Sequence, residues 1–384
     1  MSNVLTALAP ILYSAAQKIP RELTGTLGAV TLNFDDKGVA INDTVKVPII
    51  AQGSASAYTP AMTASAGSDN TPTTATVSIT NNQMYTWNVT GEQERSLMNG
   101  GDNAAEFMRQ NMEQGIRTLV NAIELRTWQA AYQSASRATG TAGTSPFATN
   151  ITPLANCLQV LLDNGMTDLD NITAVINTTA GANLRGQVLL NGQFPSSTAQ
   201  DLLNTGVLTV LFGMKVRESG QVAAVTKGTG TSYTTSASAN VVGQTVFTGI
   251  LTGTGTILPG DVITFAGDAN NKYMVQSSVG GSTVTSITIG APGLKVGFTG
   301  TNAITVGANY TPNVLIHRKG VVAVIRPPII PQNPIIQQIP VTDPVTGMTM
   351  LFCRVAGDGM LTYRLHVADG EAAVQSNTQA ILLG

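Results

Sequence analysis

The clearest pattern of apolar positions along the chain is a helical stripe in its first half. Apolar side chains recur there at intervals of three and four residues: Met108, Met112, Ile116, Leu119, Val120 and Ile123. Asp102 is suited to cap the amino end, and no proline interrupts the segment before Ala138. The pattern predicts one helix over residues 102–138, about 50 Å long, which exceeds the usual length of a globular helix.

A long, nearly uncharged segment precedes this helix. Three runs in it have the composition or the alternation of strands: Val45–Ile50, Val77–Thr80 and Met84–Val89. Asp69 is the only charged side chain between Val47 and Gly91. The segment predicts a long two-stranded hairpin, which must lie on this subunit or on a neighbour because a free-standing hairpin is not stable in water. A disordered loop is the alternative for the same stretch.

The rest of the chain divides into an arm, an α/β body and a β-rich insertion. Residues 1–44 indicate an extended arm, in which Pro10 and Pro20 interrupt a short apolar patch. Residues 151–225 predict an α/β segment with helices at Pro153–Asn164, Thr179–Leu190 and Ser197–Asn204, and strands at Ile172–Ile176 and Val207–Val216. Residues 226–312 predict a small inserted β-barrel or sandwich, because short apolar runs alternate there with turn residues. Long strands after residue 312 indicate that the body then resumes.

Composition narrows the classes of function. Charged residues make up 11% of the 384 residues, against roughly 25% in a typical soluble domain, and the formal net charge is -2. No basic field is available to hold nucleic acid. Because charges normally keep proteins monomeric, their scarcity predicts a surface buried against partners. The sequence contains no run of 18 or more apolar residues, so it predicts no membrane-spanning helix. Its first residues do not indicate a signal peptide. Cys157 and Cys353 are expected to be reduced and structural, although a single bridge is also compatible with the sequence.

Candidate catalytic and metal-binding groups are scarce. His317 and His366 are the only histidines, and neither has a second ligand at the spacing of a zinc site. No phosphate-binding loop and no serine nucleophile motif is present. Asp261 and Asp268 are the only close carboxylate pair of the β-rich part, where a glycan hydrolase would need one, and both fall in turn contexts. We therefore expect no enzyme activity, no cofactor and no metal.

Several short stretches of the second half carry a family resemblance: Leu258–Gly267, Asn313–Val321, Cys353–Val355 and Leu361–Val367. The first contains the pattern G-D-x-I-x-F-A-G. With the order of parts described above, the chain resembles the major capsid proteins of tailed bacteriophages, which have the Hong Kong 97-like fold. More narrowly, it is similar to the coat proteins of enterobacterial short-tailed phages, which carry an inserted β-barrel. The resemblance in architecture covers nearly the whole chain and implies an α+β fold.

The resemblance also implies a division into parts: an N-terminal arm at 1–44, an E-loop hairpin at 45–95, a P-domain at 96–180 and 356–384 with its spine helix at 102–138, an A-domain at 181–226 and 312–355, and an inserted β-rich domain at 227–311. The candidates for contact between subunits lie in or beside the hairpin: Lys46, Tyr58, Asp69, Trp87, Glu92 and Arg95. The candidate hinges are glycines at the approaches to the helix and to the insertion: Gly100, Gly101, Gly228 and Gly230.

The function implied by the resemblance is that of a major capsid protein. Such a chain would assemble as pentamers and hexamers into the icosahedral head of the virion, within the host bacterial cytoplasm. Its expected partners are copies of itself, a separate scaffolding protein, a portal protein and packaged double-stranded DNA held without sequence-specific contact. A fused scaffolding segment is not expected, because the hairpin begins near Lys46. An encapsulin-type nanocompartment shell protein is the alternative, followed by a β-rich tail or surface-layer protein, which the long helix disfavours.

Covalent links between subunits provide a first test. Some members of the family join a lysine of the E-loop to an asparagine of another subunit, but here the hairpin tip has no lysine and Lys46 lies at its base. We expect no crosslinks. Assembled particles boiled in detergent should run as a single monomer band on a denaturing gel. A ladder of bands above the monomer would refute this expectation.

Overall fold

The computed structural model describes residues 22–34, 40–49, 60, 72–93, 95, 102–190, 210–330 and 335–384. The α-helices with defined bounds are α1 Asp102–Gln133, α2 Thr152–Asp163 and α3 Thr178–Leu190, and residues 91–93 and 95 are also helical. The strands, in chain order, are β1 Thr31–Phe34, β2 Thr44–Ile49, β3 Thr73–Ser78, β4 Asn81–Thr90, β5 Arg137–Gly140, β6 Ile172–Ile176, β7 Val210–Leu211, β8 Met214–Glu218, β9 Tyr233–Thr234, β10 Val246–Thr248, β11 Val262–Phe265, β12 Asp268–Val279, β13 Ser286–Ile289, β14 Ala303–Val306, β15 Pro312–His317, β16 Val321–Arg326, β17 Ile335–Thr342, β18 Thr349–Ala356, β19 Met360–Ala373 and β20 Gln379–Leu383. The chain is α+β, with mixed sheets and few helices, as the sequence predicts.

The long helix predicted from the apolar stripe is α1, which has 32 residues and is about 48 Å long. It ends at Gln133, whereas the sequence predicts a helix that continues to Ala138. The reason lies in strand pairing, since Arg137 and Ala138 belong to β5, which pairs with β20 on one side and β12 on the other. Two sheet partners for these backbone groups outweigh the helical propensity of the segment. Gly140, with a φ of 87°, ends the strand.

A six-stranded sheet carries the apolar face of α1. Its strands follow the order β1-β16-β19-β18-β17, and β4 pairs along the other edge of β19. The stripe of α1 packs onto the side chains of β4, β18 and β19 in one core: Met112, Ile116, Leu119, Val120, Ile123, Trp87, Phe352, Tyr363 and Leu365. The predicted strand at residues 84–89 is therefore an integral strand of the subunit's sheet and does not form the return strand of the hairpin.

The hairpin consists of β2 and β3, which pair with each other in a sheet of their own. Its base lies on the face of the six-stranded sheet opposite α1, where Val77 and Ile79 contact Val322 and Val324 of β16. The approach is close, because a Cβ on Gly370 of β19 would lie 2.1 Å from the carbonyl oxygen of Ser78. The hairpin is thus anchored to its own subunit at the base.

A twelve-stranded sheet forms the second half of the body and continues into the insertion. Its order is β7-β8-β6-β15-β20-β5-β12-β11-β14-β9, and β13 joins β10 to β12. Strands β6, β15 and β20 at its centre are buried along their whole length, which explains their continuous apolar sequences. Helices α2 and α3 contribute to the core on one face, and Trp128 and Tyr132 of α1 contribute to the core on the other.

The β-rich insertion has a hydrophobic core of its own. Strands β9 to β14 contribute to this core, in which Phe265 contacts Phe247, Tyr273 and Phe298. The insertion is nevertheless continuous with the body, because β12 pairs with β5 at Lys272. That the insertion closes into a barrel domain remains a prediction.

The contact between Gly370 and Ser78 generates a test of how the hairpin is anchored. The change Gly370→Ala forces a methyl group against the backbone of β3 and should lower the free energy of unfolding by about 1–3 kcal/mol. Gly186→Ala, in α3, is the matched control, since a Cβ there meets no atom within 4 Å and alanine favours the helix. Urea unfolding of the two variants and the wild type measures the difference. Equal stability of the Gly370→Ala variant and the wild type would contradict the anchoring contact.

Candidate assembly surfaces

The hairpin divides into an anchored base and an outer half. At the base, Val77 is fully buried opposite Val45. Farther out, Ile49 is half-buried opposite the exposed Thr73, and neither belongs to a core cluster of the described residues. Among the described residues, the inward face of the hairpin therefore leaves the core between Val47 and Ile49.

Two of the six predicted interface residues lie outside the described residues, namely Tyr58 and Asp69. Lys46 is exposed on the outward face of the hairpin, directly across from Thr76. It is placed where a neighbouring chain could reach its ammonium group.

Trp87 is a core residue, which corrects the prediction that it lies at a subunit interface. Only 8% of the residue is exposed. Its ring stacks on that of Tyr363, with 5.4 Å between the ring centroids and 13° between the planes. The cause is the two-residue period of β4, which turns Tyr85, Trp87 and Val89 towards α1.

Glu92 and Arg95 are exposed just after β4. The turn that carries them is fixed by a reciprocal pair of hydrogen bonds. The amide of Gln93 donates to the Thr90 hydroxyl at 3.3 Å, and the amide of Thr90 donates to the side-chain oxygen of Gln93 at 3.1 Å. This is the capping box that the pattern Thr-x-x-Gln allows. Glu92 and Arg95 stay candidates for contact with another chain.

The glycines at the start of the insertion are close-packed, which corrects their assignment as hinges. The amide of Gly228 donates to both carboxylate oxygens of Asp261, at 3.1 and 3.2 Å, and that of Gly230 donates to the carbonyl of Thr256 at 2.8 Å. A Cβ on Gly228 would lie 2.2 Å from the same carbonyl. Glycine is needed at this position for close approach of two backbones. The other two candidates, Gly100 and Gly101, lie outside the described residues.

Glu124 of α1 joins three segments at one buried carboxylate. It accepts hydrogen bonds from the amides of Thr26 and Leu27, at 2.8 and 2.9 Å, and from the hydroxyl of Ser219 at 2.7 Å. Burial raises the pKa of Glu124, while these donors oppose the shift. About two turns earlier on the same helix, Arg117 forms a bidentate pair with Glu22, which holds the pKa of Glu22 down at about 2. The segment from residue 22 to residue 30 is thereby tied to the long helix.

Arg126 links α1 to β19 through a cluster of two acids. Its Nε and Nη2 donate to the two carboxylate oxygens of the fully buried Asp369, at 2.6 and 2.7 Å. Glu371 lies on the same face of β19, 3.7 Å from the guanidinium. Burial and the neighbouring Asp369 raise the pKa of Glu371 far above that of an ordinary carboxyl. Arg126 therefore joins the helix to both acids of β19.

A polar joint fixes the insertion to the body. The guanidinium of Arg137 donates to the side chain of Asn164 at 3.0 Å and contacts Asn271 of β12 at 3.5 Å. Lys295 of the insertion forms an ion pair with Asp163 at the end of α2. These contacts, with the β5–β12 pairing, connect the insertion to the body at several points, as expected for a rigid attachment.

The described residues contain no group of three His, Cys, Asp or Glu side chains arranged to hold a metal ion. Cys157 and Cys353 are both buried, and burial raises their thiol pKa values to about 12 and about 11. Burial also lowers the pKa of His366 to about 4. In the part of the chain that the structure describes, no helix is long and apolar enough to span a bilayer.

Comparison with known proteins found similarity only at the level of structure. No family model and no curated protein matches the chain. Solved structures that resemble it include one from Mycobacterium phage Che8, with a TM-score of 0.47 and 11% identity over 89% of this chain and 84% of that chain. The capsid structure of the cyanophage P-SCSP1u has a TM-score of 0.47 and 11% sequence identity, over 94% of this chain and 88% of that chain. The capsid of an empty GTA particle has a TM-score of 0.46 and 11% sequence identity, over 94% of this chain and 90% of that chain.

The acid cluster beneath α1 predicts a pH dependence of stability. The pKa of Glu371 in the folded chain, about 9, lies above the ordinary value of 4.5, so the folded state binds this proton more tightly than the unfolded state. The stabilisation is complete below pH 4.5 and is lost as the pH rises towards 9. The change Glu371→Gln removes this titration and keeps the shape of the side chain.

The wild type should therefore lose free energy of unfolding relative to Glu371→Gln between pH 5 and pH 9. Urea unfolding of both proteins at several pH values gives the difference. Glu92→Gln, the same change at an exposed carboxyl, should show no such trend. A difference between wild type and Glu371→Gln that stays constant over this range would show that Glu371 is ionised in the folded chain.

Proposed function

We propose that this chain is the major capsid protein of a tailed bacteriophage, which assembles as pentamers and hexamers into an icosahedral head around double-stranded DNA. The role is structural, with no catalytic step. Its interactions are with copies of itself, with a separate scaffolding protein and a portal protein during assembly, and with packaged DNA through contacts that do not read sequence. The site of action is the virion, assembled in the host bacterial cytoplasm.

The observation that carries the proposal is the outer end of the β2–β3 hairpin at Ile49, which joins no core cluster of the described residues. A two-stranded ribbon is marginal in water unless its apolar face is covered. Here the base is covered by β16 and β19 of the same subunit, whereas the inward side chain of Ile49 contacts no core cluster of the described residues. A neighbouring copy supplies the missing cover in a shell, and the hairpin then serves as an E-loop.

Other features support the same role. The low charge favours permanent contact between copies, and the weakly acidic net charge suits a container that must not bind its DNA tightly. Helix α1 corresponds to the spine helix of a P-domain, residues 181–226 and 312–355 to an A-domain, and residues 227–311 to an inserted barrel. Residues 1–44 correspond to the arm, and Glu22 within it is tied to α1.

A change on the unsupported face of the hairpin tests the proposal. Ile49→Asp places a charge where the neighbouring copy would lie and should abolish shells while the free subunit keeps its thermal midpoint within a few degrees. Thr44→Asp puts the same charge at an exposed position on the outward face and should still assemble. Negative-stain images and sedimentation velocity of each variant, expressed with and without candidate scaffolding protein, give the yield of particles.

Loss of particles in both variants, or in neither, would contradict the proposed role of the inward face. If the wild-type chain forms no closed particle with any scaffolding protein encoded beside it, the capsid function itself is refuted. An encapsulin-type shell remains the alternative outcome. It would package a protein cargo, whereas a phage head requires portal and terminase genes nearby.

A further inference from the structure

Among the described residues, strand β4 leaves one long edge of the six-stranded sheet unpaired. It pairs with β19 over all ten of its residues, and β19 pairs on its other side with β18 and then with β16. No other strand pairs with β4 among the described residues. The opposite edge of β4 is therefore a row of backbone groups without a strand partner in this part of the chain.

The direction of these groups follows from the bonds at the end of the strand. The amide of Gly91 donates to the carbonyl of Gly359, on the side of β19, at 3.2 Å, whereas that of Thr90 donates to the side chain of Gln93. Along a strand the backbone groups of alternate residues point to opposite sides. The even-numbered residues of β4 therefore direct their N–H and C=O groups to the free edge: Asn82, Met84, Thr86 and Asn88. No backbone partner for these four is found in the described chain.

This edge lacks the protection that natural sheets use against pairing with other chains. Protecting features include charges, prolines, bulges and short strands. The sequence of β4 contains no charge and no proline, its register with β19 is unbroken, and Met84 on its outward face is 57% exposed. The other edges of the same sheet are protected, because β17 contains Pro340 and a register shift, and β1 has only four residues.

We propose that the free edge of β4 is an interface that pairs with strand β3 of a second copy of this chain. The inference rests on the proposed shell function and adds the surface that receives the hairpin. Pairing would satisfy the backbone groups of β4 and join the hairpin of one subunit to the sheet of the next. This is strand addition, in which main-chain hydrogen bonds supply the affinity.

The choice of β3 follows from the two edges of the hairpin. The amide of Ile79 donates to the carbonyl of Asp43, so the odd-numbered residues of β3 point towards β2 and the even-numbered ones point outward. The outward edge of β3 thus presents Thr74 and Thr76, which are exposed and uncharged. On the outward edge of β2 lie Lys46 and Pro48, a charge and a residue without an N–H, which protect that edge.

The absence of charged residues from both strands favours the same pair. Neither β3 nor β4 contains a charged residue, so bringing them together buries no unpaired charge. Outside the core, β3 presents Thr74 and Thr76 and β4 presents Thr86, and threonine favours cross-strand pairs. The hairpin is also the part of the subunit whose outer half lacks cover, which places β3 where a neighbouring β4 could meet it.

Disulfide trapping tests which strand occupies the edge. Cysteine replaces Asn82, Met84, Thr86 or Asn88 in turn, combined with either Thr76→Cys or Lys46→Cys. Thr76 and Lys46 are directly opposite each other in the hairpin, one on each edge, so they form a matched pair. The native Cys157 and Cys353 are fully buried and supply the single-variant background. Assembled particles are oxidised and run on a non-reducing gel.

We expect at least one Thr76→Cys combination to give a ladder of linked subunits, because neighbouring strands bring Cβ atoms within disulfide range. The Lys46→Cys combinations, one strand farther away, should stay monomeric. Ladders from Lys46→Cys alone, or monomers from every combination in well-formed particles, would overturn the inference. An internal disulfide leaves the monomer mass unchanged, so it cannot imitate the expected ladder.

A proline variant tests the edge without added cysteines. Thr86→Pro removes one outward N–H while the β19 side keeps its ladder, and should reduce the yield of particles at least tenfold with the free subunit still folded. Thr342→Pro makes the same change on the edge of β17 that Pro340 already occupies, and should leave assembly near the wild-type level. Normal assembly of Thr86→Pro would count against the β4 interface but leave the capsid function standing. Failure of the wild-type chain to form particles would refute both.

Discussion

The packing of α1 against the six-stranded sheet is the interaction on which the rest of the subunit depends. Five apolar residues of the helix share one core with side chains of β4, β18 and β19. The same helix holds the segment after residue 22 through Glu124 and reaches the second sheet through Trp128. Both sheets and the arm are therefore positioned by a single element. Arg126 ties the helix to Asp369 and Glu371 of β19.

This arrangement determines which surfaces the described part of the subunit does not cover. Because α1 covers one face of the sheet and the base of the hairpin covers part of the other, two features belong to no core cluster or strand pair of the described residues: the end of the hairpin at Ile49 and Thr73, and the outer edge of β4. A monomeric protein normally covers a two-stranded ribbon and protects its strand edges, and within the described residues these two features have neither cover nor protection. A second copy of the chain can satisfy both at once. The low charge of the surface fits such an assembly.

The sequence predicts the elements well where the signal is local and periodic. The long helix, the strand at Ile172–Ile176 and the separate core of the β-rich insertion all follow from spacing and turn residues. The sequence does not predict the structure where pairing between distant strands determines it. Nothing near Trp87 shows that its strand pairs with β19, some 275 residues later, and Arg137 enters a strand through partners that are equally remote.

The candidate site was predicted only in outline, for the same physical reason. Composition and a lone hairpin signal indicate where contacts between subunits should lie. They do not show that Gly228 is held against Thr256, or that Glu124, Arg126 and Glu371 form buried polar joints. The sequence contains a weak signal for the joint at Arg126, because the spacing of Asp369 and Glu371 places both carboxyls on one face of a strand.

The central claim is that another copy covers the outer hairpin. Hydrogen–deuterium exchange of the amides of residues 44–49 and 73–78, in the free subunit and in the assembled particle, measures this directly. The account predicts fast exchange in the outer half of the hairpin of the free subunit and exchange at least a hundredfold slower in the particle. Equal rates in the two states, whether fast or slow, would contradict it.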